Sequence, residues 1–136
     1  MIQYLAENVA LPKIDEHRIN RWIKQVASGY EKKTGQIVYV FCDDEKILET
    51  NKKFLEHDYY TDIITFDYST GSTISGDIFI SLDTVKSNAE EQNLTFEQEL
   101  LRIIIHGILH LCGNNDKTPE ERADMTMKEN EALSML

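Results

Sequence analysis

His106 and His110 stand four residues apart in the run Ile105-His106-Gly107-Ile108-Leu109-His110-Leu111. On a helix that spacing projects both imidazoles from one face, with Cβ atoms roughly 5 to 6 Å apart, as two ligands of one metal ion require. Gly113 follows three residues later and admits the left-handed backbone that ends a helix, so the chain can turn back and carry Asp116 toward both rings. The pattern is His-x3-His-x2-Gly-x2-Asp. Three protein ligands would leave one coordination position for water, as catalytic zinc sites do. The competing reading makes the two histidines ordinary core or surface residues and Asp116 a turn residue.

The spacing is that of the extended zinc-protease motif with Asp in place of a third His, and an Asp oxygen ligates zinc at about 2.0 to 2.2 Å. A carboxylate ligand also admits Ni, Mn or Fe. In the protease motif the general base is a Glu beside the first His; here that position is Gly107. Glu99 is two helical turns from His106, about 10 Å along the axis, too far to act on a bound water. Peptide hydrolysis is thus disfavoured by the motif that suggests it. Two His and a carboxylate also serve non-haem iron oxygenases, but nothing in the chain would recruit an organic co-substrate, and no small organic cofactor is expected. His17 and His57 fall in polar surroundings and read as solvated. Cys112 lies about 200° around the helix from His110 and reads as a small core residue facing away from the ion.

These residues need a scaffold, and the strongest start and stop signals surround them. Thr95-Phe96-Glu97-Gln98 fits a capping box opening a helix that runs through Leu111 to Gly113. Thr118-Pro119-Glu120-Glu121 repeats that logic, with Pro at the first helical position. Upstream, Ile2 to Glu7 is a strand. A helix capped by Asp15 carries Ile19, Trp22, Ile23, Val26, Ala27 and Tyr30 at helical spacing, and Gly35 is expected to end that element. Gln36 to Cys42 is a buried strand. Asp43-Asp44-Glu45 opens a second helix with Ile47, Leu48, Phe54 and Leu55 on its apolar face and Asn51 within the stripe. Tyr59 to Asp67 and Gly76 to Ser81 are two further strands, separated by the turn Ser69-Thr70-Gly71-Ser72. The expected class is α+β with α/β character: a small, mixed, mostly parallel four-stranded sheet covered by about five helices, with the metal site on a C-terminal helix.

The 136 residues carry 14 basic and 24 acidic side chains, a net charge of −10, with 41% hydrophobic residues. That size and composition predict one domain over residues 1–136. The most apolar run, Ile103 to Cys112, is shorter than the roughly 20 residues of a bilayer span and holds two His, so no membrane partner is expected. No basic and apolar leader pattern follows Met1, which predicts a cytoplasmic protein with Cys42 and Cys112 reduced. The acidic balance excludes nucleic-acid binding through a broad basic surface. Lys32-Lys33 and Lys52-Lys53 are the only basic doublets.

His106-Gly107-Ile108-Leu109-His110-Leu111-Cys112-Gly113-Asn114-Asn115-Asp116 resembles the YbeY family motif His-Gly-x-Leu-His-Leu-x-Gly-x-Asp-His. Thr61-Asp62-Ile63-Ile64-Thr65-Phe66 is similar to the family's Thr-Asp-Val-Leu-Ser-Phe strand, and Gly76-Asp77-Ile78-Phe79-Ile80-Ser81 to its Gly-Asp-Ile strand. The resemblance implies a metal-dependent, single-strand-specific endoribonuclease acting in 3′ maturation of small-subunit (16S) rRNA and in ribosome quality control. Its implied partners are single-stranded rRNA and the small ribosomal subunit or assembly factors. The implied metal ligands are His106, His110 and Asp116, with Zn2+ as the ion and His106 and His110 acting in catalysis through it. Two positions depart from the family. Asp116 replaces the third His, which lowers the charge of a zinc site from +2 to +1 and should lower the pKa of a bound water less. Leu55 replaces the Arg that follows Asn-x-x-aromatic and is associated with holding phosphate; Lys52 and Lys53 are the nearest cations in sequence. These departures keep open a noncatalytic ribosome-assembly factor with a structural metal. Asp62 and Asp77 are candidate partners orienting the imidazoles, and Tyr59, Tyr60, Phe66 and Tyr68 are candidate stacking faces for unpaired bases.

Overall fold

Four strands, β1 (Ile2–Ala6), β2 (Lys33–Cys42), β3 (Ile63–Asp67) and β4 (Thr73–Ser81), form one sheet in the order β1-β2-β4-β3. The structure is a computed structural model describing residues 1–55 and 61–136, with Leu55 by its backbone alone. β1 and β4 both run parallel to β2, and β3 pairs antiparallel with β4. The two parallel pairings require crossovers, which α1 (Glu16–Gly29) and α2 (Asp44–Leu55) help to supply. Then follow α3 (Leu82–Glu91), α4 (Phe96–Leu111) and α5 (Pro119–Ser134). The fold class is the expected α+β one, with a mixed, mostly parallel sheet and five helices among the described residues.

Strand side chains alternate between faces, and the alternation gives this sheet two unlike sides. Ile37, Tyr39 and Phe41 of β2 and Ile74, Ile78 and Ile80 of β4 join the main core with α1 and α4. Tyr4, Tyr39 and Phe41 stack nearly parallel across β1 and β2. The opposite parity, Phe79 of β4 with Ile64 and Phe66 of β3, packs with Cys42 and Ile47 beside α2. α4 is buried on nearly all sides, through Leu100, Ile103, Ile104, Ile105, Ile108, Leu109 and Leu111, as expected of a helix apolar around most of its circumference. Tyr39 donates to the Ile104 carbonyl at 2.8 Å, which fixes α4 over the sheet.

Four local expectations differ from the structure. Gly35 does not end α1, which stops at Gly29 with Tyr30 as its cap; Gly35 lies inside β2, next to an irregularity between Thr34 and Ile37. The strand before Gly76 begins at Thr73. In addition, α3 occupies a stretch for which no helix was placed: Ser81 ends β4 and caps α3 in one residue, its hydroxyl accepting from the Thr84 N–H. The expected strand from Tyr59 is observed from Ile63; Tyr59, Tyr60 and His57 lie outside the described residues.

Candidate metal centre

α4 starts at the predicted capping box, with Thr95 accepting from the Gln98 N–H and Gln98 accepting from the Thr95 N–H. It ends where Gly113 takes φ +100°, a conformation open to glycine at little cost. The following loop is folded back onto the helix. The Asn114 N–H and side-chain amide both donate to the Leu109 carbonyl. From α5, Lys128 reaches Asn114 Oδ1 at 2.5 Å and Arg122 reaches the Lys117 carbonyl at 2.8 Å. α5 itself starts at the predicted Thr118–Glu121 capping box.

The loop thereby places Asp116 against both histidines. Asp116 Oδ2 lies 3.3 Å from His106 Nε2 and 3.4 Å from His110 Nε2, and the two rings meet edge to face with centroids 4.6 Å apart. His106, His110 and Asp116 thus form the one triad among the described residues whose donor atoms are grouped closely enough to hold a metal ion. Two ligand atoms each about 2.1 Å from a tetrahedral ion stand roughly 3.4 Å apart, the separation seen here. The donor chemistry, two imidazoles and a carboxylate, fits a divalent transition metal.

Glu129, on α5, was not foreseen. It is 7% exposed, and its Oε2 lies 2.6 Å from His106 Nδ1, while its Oε1 accepts from Arg102 at 2.9 Å. With Nδ1 engaged, His106 presents Nε2 to Asp116. Burial alone would lower the His106 pKa, but the Glu129 hydrogen bond and the charges of Glu129, Asp116 and Asp62 outweigh it, and the pKa is raised. His110 is lowered, by burial first and the neighbouring His106 charge second, against the pull of Asp116.

The triad opens on a cavity of about 560 Å³ whose walls include Asn51 of α2, residues Thr61 to Thr65 leading into and along β3, and Asp67. Asp62 is in that wall, with its pKa raised by burial, and its charge acts on His106, although Glu129 makes the hydrogen bond expected of it. Asp77 is corrected outright. Its odd position on β4 turns it away from the face that α4 covers, and it accepts from Tyr68 at 3.4 Å. Gly107 packs against β4 and β3: a Cβ there would meet Ile78 at 3.0 Å and Ile63 at 3.3 Å, so this position has no room for a glutamate base.

Of the expected stacking faces, Phe66 is held edge to face between Phe54 and Phe79, whereas Tyr68 is exposed. Phe54, which was counted on the apolar face of α2, is 61% exposed with the Lys53 ammonium 5.4 Å from its ring centre. His17 is exposed as expected. Cys42 and Cys112 are free, and burial pushes their thiols up to about 12 and about 11. No helix among the described residues is long and apolar enough to cross a membrane.

The chain matches the family described as Endoribonuclease YbeY over residues 4–136. Proteins named Endoribonuclease YbeY from Bacteroides fragilis and Parabacteroides distasonis are similar throughout. The first is 58% identical over 134 residues, 98% of this chain and 96% of that protein. The second is 60% identical over 135 residues, 99% and 95%. The solution structure of TM1509 from Thermotoga maritima superposes with a TM-score of 0.66 at 27% identity, covering 99% of this chain and 91% of that one. Because the similarity spans almost every element and includes the loop bearing Asp116, the chain belongs to the YbeY endoribonuclease family.

Proposed function

We propose that this chain is a metal-dependent endoribonuclease that cleaves single-stranded RNA, with His106, His110 and Asp116 holding one Zn2+. Its place would be the cytoplasm, in 3′ maturation of 16S rRNA and in ribosome quality control, working as one domain on the small subunit or with its assembly factors. Family membership supports the endoribonuclease activity. The observation that carries the metal dependence is the pair of 3.3 and 3.4 Å separations from one carboxylate oxygen to two imidazole nitrogens.

When bound, a divalent cation supplies Lewis acidity toward a phosphoryl oxygen and toward the nucleophile. The chain's own residues do the rest. Glu129 holds His106 in the tautomer that leaves Nε2 free for ligation. The Gly113 corner and its ties to α5 keep Asp116 in place. Asp62, in the cavity wall with a raised pKa, is the carboxylate suited to accept the proton of the attacking hydroxyl or water. Phe54 offers an exposed ring to an unpaired base, with Lys53 beside it for a phosphate.

The test is cleavage of single-stranded rRNA by the purified protein, with and without chelator, and by His106→Ala and His110→Ala. Cleavage that chelator and both substitutions abolish is the expected result; cleavage untouched by them removes the metal from the mechanism. One observation favours a second reading, the noncatalytic assembly factor. The described cavity wall contains Asp62, Asp67 and Asp116 and no Lys or Arg, which disfavours a polyanion. Ribosome association without any RNA cleavage under metal-replete conditions would select that reading.

A further inference from the structure

Beyond its first turn, which holds Glu97, Gln98 and Glu99, α4 carries one polar stripe among apolar residues, Arg102, His106 and His110 at intervals of four. Arg102 reaches neither the cavity wall nor the triad. Its guanidinium spans two neighbouring residues of α5, Nη1 donating to Glu129 Oε1 at 2.9 Å and Nη2 to Asn130 Oδ1 at 2.8 Å. Glu129 is therefore held at both oxygens, by Arg102 on one and by His106 Nδ1 on the other. A second carboxylate lies one turn from Arg102 on its own helix: Glu99 is 2% exposed and its Oε1 has no hydrogen-bond partner. The guanidinium leaves that buried oxygen unpaired and serves Glu129 and Asn130 instead. The main chain of α5 is independently anchored, since Trp22 Nε1 donates to the Ala132 carbonyl at 2.7 Å within the core. Helix docking thus does not depend on Arg102 alone, and what Arg102 adds is the orientation of one carboxylate.

We infer that Arg102 is a positioning residue of the metal centre, which by bridging Asn130 and Glu129 fixes the Glu129 carboxylate against His106 Nδ1 and so presents His106 Nε2 to the ion. The inference rests on the reading of His106 as a ligand. The planar fork meets the two acceptors with two separate nitrogens in fixed geometry; a Lys ammonium at this position would carry the charge without that geometry. Loss of a partner that orients a ligating imidazole typically weakens metal binding about 10- to 100-fold.

The experiment compares the whole chain with Arg102→Gln, Arg102→Lys, Glu129→Gln and the Arg102→Gln/Glu129→Gln double variant. Zn2+ affinity is measured by competition with a chromophoric chelator. The His106 tautomer is read from imidazole nitrogen NMR shifts of metal-free protein, at the alkaline end of a titration where those shifts no longer change with pH. Arg102→Gln should bind Zn2+ about tenfold more weakly and show a mixed tautomer, and Arg102→Lys should fall between it and the wild type. The double variant should bind no more weakly than Glu129→Gln, because Arg102 acts only through Glu129. A merely structural tie would lower thermal stability and leave the tautomer as it is, which overturns the inference, as do single losses that multiply in the double variant. If Arg102→Gln does not fold, Arg102→Lys carries the same comparison. A wild type that binds no Zn2+ overturns the metal reading itself, whereas Arg102 variants identical to a Zn2+-binding wild type overturn this inference alone.

Discussion

Glu99→Met should stabilise the protein at neutral pH, although it removes a charge from the helix that carries both histidines. Glu99 is 2% exposed with Oε1 unpartnered. Burial is the largest influence on its pKa and raises it; Asp62 and Glu129 add to the rise, and Arg102 and a hydrogen bond to Asn88 oppose it. An unpartnered buried polar atom costs about 1 to 3 kcal/mol, and the Asn88 bond forgone in the variant contributes about 1 kcal/mol. Met is an unbranched, adaptable apolar side chain suited to the same space. The expected net gain is about 1 kcal/mol, or roughly 3 °C in Tm for a chain of this length. The pH dependence gives the sharper signature. Because the folded pKa lies above the ordinary 4.5, the native state takes up a proton more readily than the unfolded chain. Wild-type stability therefore declines as pH rises from that ordinary value through the folded pKa. The variant lacks this titration, so its advantage is largest above the folded pKa and shrinks toward acid. Urea unfolding of metal-free protein at about pH 5 and about pH 8, with unchanged m, measures both. A variant less stable at the higher pH, or an advantage that does not vary with pH, refutes the reasoning.

The raised pKa of His106 means that a proton competes with the ion from above the ordinary 6.5. Zn2+ affinity should fall as pH drops through that raised value, by up to about tenfold per pH unit for one proton released, and an affinity constant between about pH 6 and 8 would contradict this. Asp62→Asn should lower kcat on single-stranded RNA about a hundredfold with KM little changed; a loss confined to KM would make Asp62 a binding residue. Phe54→Ala should weaken single-stranded RNA binding about tenfold by fluorescence anisotropy, whereas unaltered affinity removes the stacking role. In Gly76→Ala the new Cβ would stand 2.4 Å from the Phe66 carbonyl oxygen across the β3–β4 pair, so chemical unfolding should show a loss of about 3 kcal/mol, and a loss under about 1 kcal/mol would mean that the strands separate easily.

Much of the site was legible because its determinants lie within a few residues of one another. The four-residue spacing of His106 and His110, the glycine corner at Gly113 and the capping boxes at Thr95 and Thr118 each depend on backbone geometry over one or two turns, which residue type largely dictates. The α3 helix was missed although Leu82, Val85 and Ala89 recur at helical spacing, because Ser81 serves both strand and helix and no turn residues separate them. Glu129 could not be found this way. It lies 23 residues from His106, and its role exists only because α5 packs along α4, with Met125 and Ala132 in the core and Trp22 on the Ala132 carbonyl. Likewise, strand alternation placed Asp77 on one of two faces, but only the assembled sheet decided that α4 covers the other. Local sequence determined which side chains share a helix face and where the chain turns. Which carboxylate completes the network was decided by the burial of apolar faces far apart in sequence, since hydrophobic packing brings helices together without regard to the polar partners it thereby selects.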